Sequence, residues 1–285
     1  MRPENWHLTE DLDEFLSRAG EFLRSRPALH TVPLSVTDAL RRRGLRIFSA
    51  EAPVFGVLDD GTVRATLLHT PPFPLHVTPL GPREADALAA RLMDLDHPVP
   101  GISARRETAE AFAAAWQRRT GTAATVRQHQ RLYRLGELAV PEPSPQGRAR
   151  IAGSEDRELL IRWKAAFDAD TGHGVGMDPA AWADARIADR GITLWETPDG
   201  TPVSCAGVTP PTAGQVRIAP VYTPAELRGR GYAGAATAEV SRAARAAGVT
   251  EVLLFTDLAN PTSNGLYQRL GYRPVADFAV WGFGD

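Results

Sequence analysis

Pro141, Pro143 and Pro145 stand at alternate positions in Val140-Pro-Glu-Pro-Ser-Pro-Gln-Gly147, close to the midpoint of the chain. Proline fixes its own φ, lacks an amide hydrogen and pushes the preceding residue out of the helical region. No helix should cross this segment, and extended, polyproline-like structure is favoured. The chain has 285 residues, so each flank holds about 140, an ordinary domain size. The expectation is two domains, residues 1–140 and 148–285, joined by a linker at 141–147.

The carboxy half alternates apolar strand patterns with helical ones. It reads as a strand at 148–152, helices at 155–169 and 179–189, and a hairpin of strands 191–196 and 202–208 around Pro198-Asp199-Gly200. Asp178 caps the second of those helices, with Pro179 at its first position. A strand at 215–222 follows, then a helix at 231–247 that stops at Gly248. A strand at 251–257, a helix at 261–270 ended by Gly271, and a final strand or strand pair at 272–283 complete the half. The amino half shows the same succession: helices at 11–25 and 36–43, strands at 52–58, 63–69 and 75–77, a helix at 83–94, a strand at 99–103, a helix at 108–119 and a strand at 126–134. Both halves read as α/β (α+β) units, mixed β-sheets flanked by helices, and their common order marks a structural repeat.

Composition narrows the function classes. Hydrophobic residues make up 43% and charged residues 23%, enough for packed cores and unlike a disordered chain. A net charge of −2 lacks the electrostatic footprint of a nucleic-acid binder. Arg41 to Arg43, Arg105-Arg106 and Arg118-Arg119 read as solvated helix faces. The one cysteine, Cys205, has no internal disulfide partner and lies mid-strand as a buried thiol. The first residues carry acids where a secretion signal needs an apolar stretch, and no apolar run nears the ~18 residues of a membrane span. A cytoplasmic protein is expected, with no membrane or nucleic-acid partner. Seven histidines show no HxH or HExxH spacing, so no metal site is expected.

Arg228-Gly229-Arg230-Gly231-Tyr232-Ala233-Gly234 joins an apolar strand to a long helix. Glycines there let backbone approach a ligand, and the helix start offers converging amides with a positive dipole. A phosphate or pyrophosphate is the natural occupant, with Arg228 and Arg230 adding charge. The bland reading is a glycine-rich connector with arginines in solvent. The string also satisfies GxGxxG, but residues 223–228 separate it from the strand. Too little chain follows for the rest of a nicotinamide-binding sheet, so an oxidoreductase is set aside.

These residues resemble the GNAT acyl-CoA-dependent N-acetyltransferases. The family's Gln/Arg-x-x-Gly-x-Gly/Ala loop is matched by Arg228-x-x-Gly231-x-Ala233, and Val221-Tyr222-Thr223-Pro224 is similar to the passage before it. Asn260 and Tyr267, leading into Gly271-Tyr272, are similar to the family's Asn…Leu-Tyr…Gly-Phe/Tyr ending. The resemblance covers residues 148–285, and in the amino half only the order of elements. It implies tandem GNAT-like sheets, of which only the carboxy-terminal one keeps a cofactor loop. It further implies two strands splayed apart to admit the pantetheine arm, and Pro220, lacking an amide, suits such an irregularity. Amides around Val221 and Thr223 would then meet the pantetheine and the acetyl oxygen. Residues Tyr222, Gly229, Tyr232 and Gly234 complete the implied cofactor set. Asn260, Asn264 and Tyr267 share a helix face by their spacing. The resemblance makes the two asparagines pantetheine ligands and Tyr267 the acid that protonates the departing thiolate. Asn260 also reads as a helix cap, and Tyr267 as a packed tyrosine.

The implied reaction is direct transfer of acetyl from acetyl-CoA to a primary amine in a ternary complex. A small-molecule amine is the first choice of acceptor and a protein amine the second. Use of a longer acyl-CoA, or a non-catalytic acyl-CoA sensor, are the alternatives. An amine with pKa near 10.4 is neutral about once in a few thousand molecules at pH 7, so a base is expected. Asp257, Glu196 and His173 are the candidates. In the amino half, residues 70–81 hold four prolines and no matching loop pattern, so that half should bind no cofactor and should serve as a lid or acceptor-site wall.

Overall fold

The computed structural model describes residues 6–172 and 178–284. They form two compact units, the first comprising the chain to Arg131 with Asp257–Ala259 and the chain from Ala276, the second Leu132–Thr256 and Asn260–Val275. The first is built from β1 (Trp6–Thr9), α1 (Leu12–Ser25), α2 (Thr31–Arg43), β2 (Val54–Asp59), β3 (Val63–His69), β4 (Leu75–Val77), α3 (Pro82–Asp94), β5 (Gly101–Arg105), α4 (Arg106–Thr120) and the start of β6 (Ala124–Leu135). The second contains the end of β6, then β7 (Arg148–Ile151), α5 (Arg157–Thr171), α6 (Pro179–Ala188), β8 (Ile192–Glu196), β9 (Pro202–Val208), β10 (Gln215–Tyr222), α7 (Tyr232–Ala246), β11 (Glu251–Asp257), α8 (Pro261–Arg269) and the start of β12 (Tyr272–Phe283).

Both halves run β-α-α-β-β-β-α-β-α-β, so the repeat expected from the sequence is present. In the first unit the strand order is β1-β2-β3-β4-β5-β12, and in the second it is β6-β11-β10-β9-β8-β7. The fourth and fifth strands of each half, β4 with β5 and β10 with β11, are parallel. Antiparallel pairing joins β12 to β5, with Phe278 opposite Arg105 and Gly282 opposite Gly101.

Element ends differ from the sequence reading for local reasons. The four-residue β1 is too short to show a period. Helix α2 starts at Thr31, five residues before the expected 36, because Pro33 falls in its first turn, where a missing amide hydrogen costs nothing. Helix α5 follows a 3₁₀ turn at Ser154–Asp156. The units do not divide within residues 141–147. Strands β6 and β12 have 12 residues each, about twice the ordinary length, and each is split between the units.

In the first unit, Leu67, Leu75, Val77 and Ile102 of the sheet pack with Leu88 and Leu92 of α3 and Phe112 of α4. In the second unit the strand period of two sends alternate side chains to opposite faces. Ala206, Val216, Ile218, Val252 and Leu254 meet α7 and α8 through Ala236, Val240 and Tyr267. Leu194 and Cys205 meet Leu160, Trp163 and Trp182 on the face covered by α5 and α6. Among the described residues no helix is long and apolar enough to cross a membrane.

Candidate active site

Strands β10 and β11 begin as regular parallel neighbours and then part. Gln215 to Ile218 pair with Glu251 to Leu254, and the pairing ends there. Beyond Ile218, β10 shifts register on its other side and pairs Val221 with Ala206 and Tyr222 with Cys205. Pro220 sits inside that irregularity, where its missing amide breaks no ladder bond. Gly207 of β9 makes room for it, since a Cβ there would stand 2.5 Å from the Ala219 carbonyl oxygen.

Two hydroxyls fasten the diverging end of β10. Ser204 of β9, fully buried, donates to the Tyr222 carbonyl at 2.9 Å and lies 2.8 Å from the Thr223 hydroxyl. Tyr222 thus turns its carbonyl to β9. By the alternation of extended backbone, Val221 directs its own polar groups to the opposite side, where β11 has left. Arg228 completes the fastening: its Nε donates to the Thr223 carbonyl at 2.9 Å, and its guanidinium bonds the Asp170 carboxylate of α5. The arginine expected to greet a phosphate is therefore half committed to holding the loop in place.

The chain next turns through Gly229 and Gly231, whose φ values of +77° and +83° favour glycine, and enters α7. Gly231 provides no side-chain cap. Ala235 is the first residue to bond back into the helix, to the Gly231 carbonyl, so the amides of Tyr232, Ala233 and Gly234 point out of the helix end. Arg230 reaches the Glu226 carbonyl and stays exposed. Glycine backbone, outward amides and the helix dipole fit a pyrophosphate.

The matching junction of the first unit is closed. The proline-rich residues 70–81 include β4 itself, so the β4-to-α3 junction is only residues 78–81.

 The Thr78 amide donates to the Thr66 carbonyl, the Leu80 amide to the Thr108 hydroxyl and the Gly81 amide to the Glu84 carboxylate at 2.8 Å. Pro79 and Pro82 have no amide hydrogen. Glu84 occupies the anion position at the start of α3 with its own carboxylate.

Helix α8 carries the remaining expected groups. The Asn260 side-chain oxygen caps the helix by accepting from the Ser263 amide at 3.0 Å. Asn264, expected as a pantetheine ligand, is bonded within the protein. Its amide oxygen accepts from the Tyr133 hydroxyl at 3.0 Å and its nitrogen donates to the Asn260 carbonyl at 2.7 Å, so both ends are in use within the protein. Tyr133, fully buried at the end of β6, also accepts from Gln268. Tyr267 is different. Its ring is buried, edge-on to Tyr272 with centroids 6.0 Å apart, yet no described group hydrogen-bonds its hydroxyl. Burial pushes that phenol up to about 12, which keeps it protonated at neutral pH. Its neighbour Tyr272 is also raised by burial and shares a hydrogen bond with Ser241.

The expected bases fare less well. Glu196 is buried at the end of β8, bonded to the Arg150 guanidinium, with Arg148 3.5 Å away. The same Arg150 holds Asp156 with two further bonds and depresses its pKa. In this arrangement Glu196 is an ion-pair partner of Arg150, and losing its charge would leave a half-buried guanidinium short of a partner. Asp257 closes a turn: one oxygen accepts from the Ala259 amide at 2.8 Å and the other from the Gln128 side chain at 3.1 Å. His173 lies outside the described residues. Cys205 is buried, with its thiol pushed up to about 12 by burial, as suits an inert core residue.

Comparison with known proteins places this geometry. Residues 160–272 match the model of the acetyltransferase (GNAT) family. A GCN5-related N-acetyltransferase from Sphaerobacter thermophilus is similar over 99% of this chain and 97% of its own, at 19% identity and a TM-score of 0.61. A GNAT-family acetyltransferase from Colwellia psychrerythraea matches over 98% of both chains, at 14% identity and a TM-score of 0.60. A tandem GNAT protein of the clavulanic acid biosynthesis pathway aligns over 97% of this chain and 98% of its own, at 16% identity and a TM-score of 0.55. A search of curated proteins found no match. Within the carboxy-terminal half, residues 160–272 match the GNAT domain model, and the chain as a whole shares the fold of these structures, a tandem GNAT protein among them.

Proposed function

We propose, from the premise of that carboxy-terminal GNAT domain, that the protein transfers acetyl from acetyl-CoA to a primary amine in a ternary complex. The observation that carries this reading is the parting of β10 from β11 directly before the uncapped, glycine-led start of α7. An extended thioester arm fits the gap and a pyrophosphate fits the helix start. Acetyl-CoA, when bound, supplies an acyl group activated as a thioester.

The chain's own groups then have separate tasks. Amides of residues 231–234 hold the pyrophosphate, and Arg230 adds charge from the loop. The Val221 and Thr223 amides meet the pantetheine and the acetyl oxygen, where a fixed donor is worth most as negative charge develops. Tyr267 gives its proton to the departing sulfur. A thiol near pKa 8.5 is a stronger acid than this phenol, so the proton moves only as negative charge gathers on the sulfur during carbon–sulfur cleavage, and the phenolate then recovers a proton from water. With Glu196 and Asp257 both engaged, the ammonium proton of the acceptor leaves through water or as the amine binds.

The engagement of both carboxylates also favours a second reading, an acyl-CoA sensor without turnover. Thiol release from acetyl-CoA, measured against a panel of small amines and peptide amino termini, separates the two. Release that depends on an amine supports the transferase, and tight acetyl-CoA binding with no release for any amine supports the sensor.

A further inference from the structure

The proline-rich segment lies on the second unit itself. Its approach is anchored by backbone, since Gly136 donates to the Gly271 carbonyl at 3.0 Å and Ala139 to the Leu270 carbonyl at 3.1 Å. Leu138 packs on the core shared by α7 and α8. From there the chain runs along the start of α7. A Cβ on Gly234 would stand 3.5 Å from Pro141 Cγ, and one on Gly231 would stand 3.7 Å from Pro145 Cδ. Pro141 and Pro145 are half-buried, whereas Glu142, Pro143, Ser144 and Gln146 between and beyond them are exposed. The Ser144 hydroxyl bonds back to the Pro141 carbonyl at 2.9 Å and closes the arc.

Two rings therefore face the same turn of α7 whose amides point outward. Proline suits that position: a ring offers a stiff apolar surface, and without an amide hydrogen it makes no competing bond to an anion. We propose that residues 136–145 form a fixed wall beside the nucleotide end of the acyl-CoA site, with Pro141 and Pro145 as its contact residues. This rests on the acyl-CoA reading above. It assigns the segment to donor recognition, in place of the linker role expected from its composition. The pantetheine end, held between β10 and β11, is left to other residues.

The test compares two donors in the full-length protein: acetyl-CoA, and acetyl-pantetheine, which keeps the thioester arm and lacks the nucleotide. Pro141→Gly with Pro145→Gly removes both rings, and Gln146→Gly adds similar flexibility without touching α7. The double variant should weaken acetyl-CoA binding and raise its KM by about threefold to tenfold, the scale of one lost apolar contact region. Its kcat/KM for acetyl-pantetheine, and both donors' values in Gln146→Gly, should stay within about twofold. Equal losses for both donors would mean that the prolines only support the fold. Unchanged or tighter acetyl-CoA binding would mean that the segment is idle or obstructive, and any of these results overturns the wall. Absence of acetyl-CoA binding in the unaltered protein overturns the function reading first and the wall with it.

Discussion

Ser204 of β9 holds Tyr222 of β10 by a hydroxyl-to-carbonyl hydrogen bond of 2.9 Å. The bond ties β10 to β9 at the place where β10 leaves β11, so it keeps the divergence open. Ser204→Ala leaves the Tyr222 carbonyl and the buried Thr223 hydroxyl each short of a partner, at a cost of about 1–3 kcal/mol. The acetyl-CoA KM should rise by about threefold to tenfold with kcat less affected, because binding geometry is disturbed more than the proton donor. Steady-state kinetics with thermal melting check this. A variant that melts lower with unaltered KM would make the serine a stability residue alone.

Tyr267→Phe keeps the ring and removes the hydroxyl that no described residue engages. The expected result is a fall in kcat of at least about tenfold with little change in acetyl-CoA affinity. Burial raises this phenol to about 12, so its proton is present below that pH. The kcat profile of the parent protein should accordingly show no alkaline fall up to pH ~10. An active phenylalanine variant would assign the proton to water.

Glu196→Gln tests the reassignment of an expected base. Loss of one bond in the Arg150, Asp156 and Glu196 cluster should cost about 1–3 kcal/mol in denaturant unfolding, reduced because Arg150 is partly exposed. The pH dependence of kcat should keep its shape. A lost acid limb in the kcat profile, with stability unchanged, would restore Glu196 to catalysis.

His69 carries an acid sensitivity of the first unit. Its Nδ1 lies 2.8 Å from His97 Nε2, its ring is buried, and burial first, then His97, lower its pKa to about 4. The unfolded chain binds this proton near pH 6.5, so the folded state is fully favoured above that value and loses ground as pH falls toward 4. The loss is on the order of 3 kcal/mol at most. His69→Gln should flatten the dependence between pH 6.5 and 4.5 in urea unfolding. An equal acid loss in the variant would place the effect elsewhere.

Much of this arrangement is legible in the sequence because it is local. The strand ending at Tyr222, the glycines at 229 and 231 and the Asn260–Pro261 helix start all sit within a few residues of the group they position. What stayed hidden depends on partners far along the chain. Arg150 and Glu196 are 46 positions apart, and Tyr133 reaches Asn264 across 131. No period in either segment announces the other. Prolines 141–145 mislead for another reason: composition gives their backbone preference, and only the bonds of Gly136 and Ala139 fix where that extended backbone lies.

One titration bears on the central claim most directly, that the second unit holds an acyl-CoA site and the first does not. The two units share one order of elements, but the start of α7 presents outward amides whereas the start of α3 is filled by Glu84. Calorimetry of the full chain with acetyl-CoA should give one site per chain. Replacing Arg228 and Gly231 together should weaken it by several kcal/mol, because the loop loses its ties to Thr223 and Asp170 and the α7 amides lose their aim, at ~1.5–3 per charge-assisted hydrogen bond, while Glu84→Ala should add no second site. Two sites in the parent protein, or unchanged affinity in a folded Arg228 and Gly231 variant, would contradict the account.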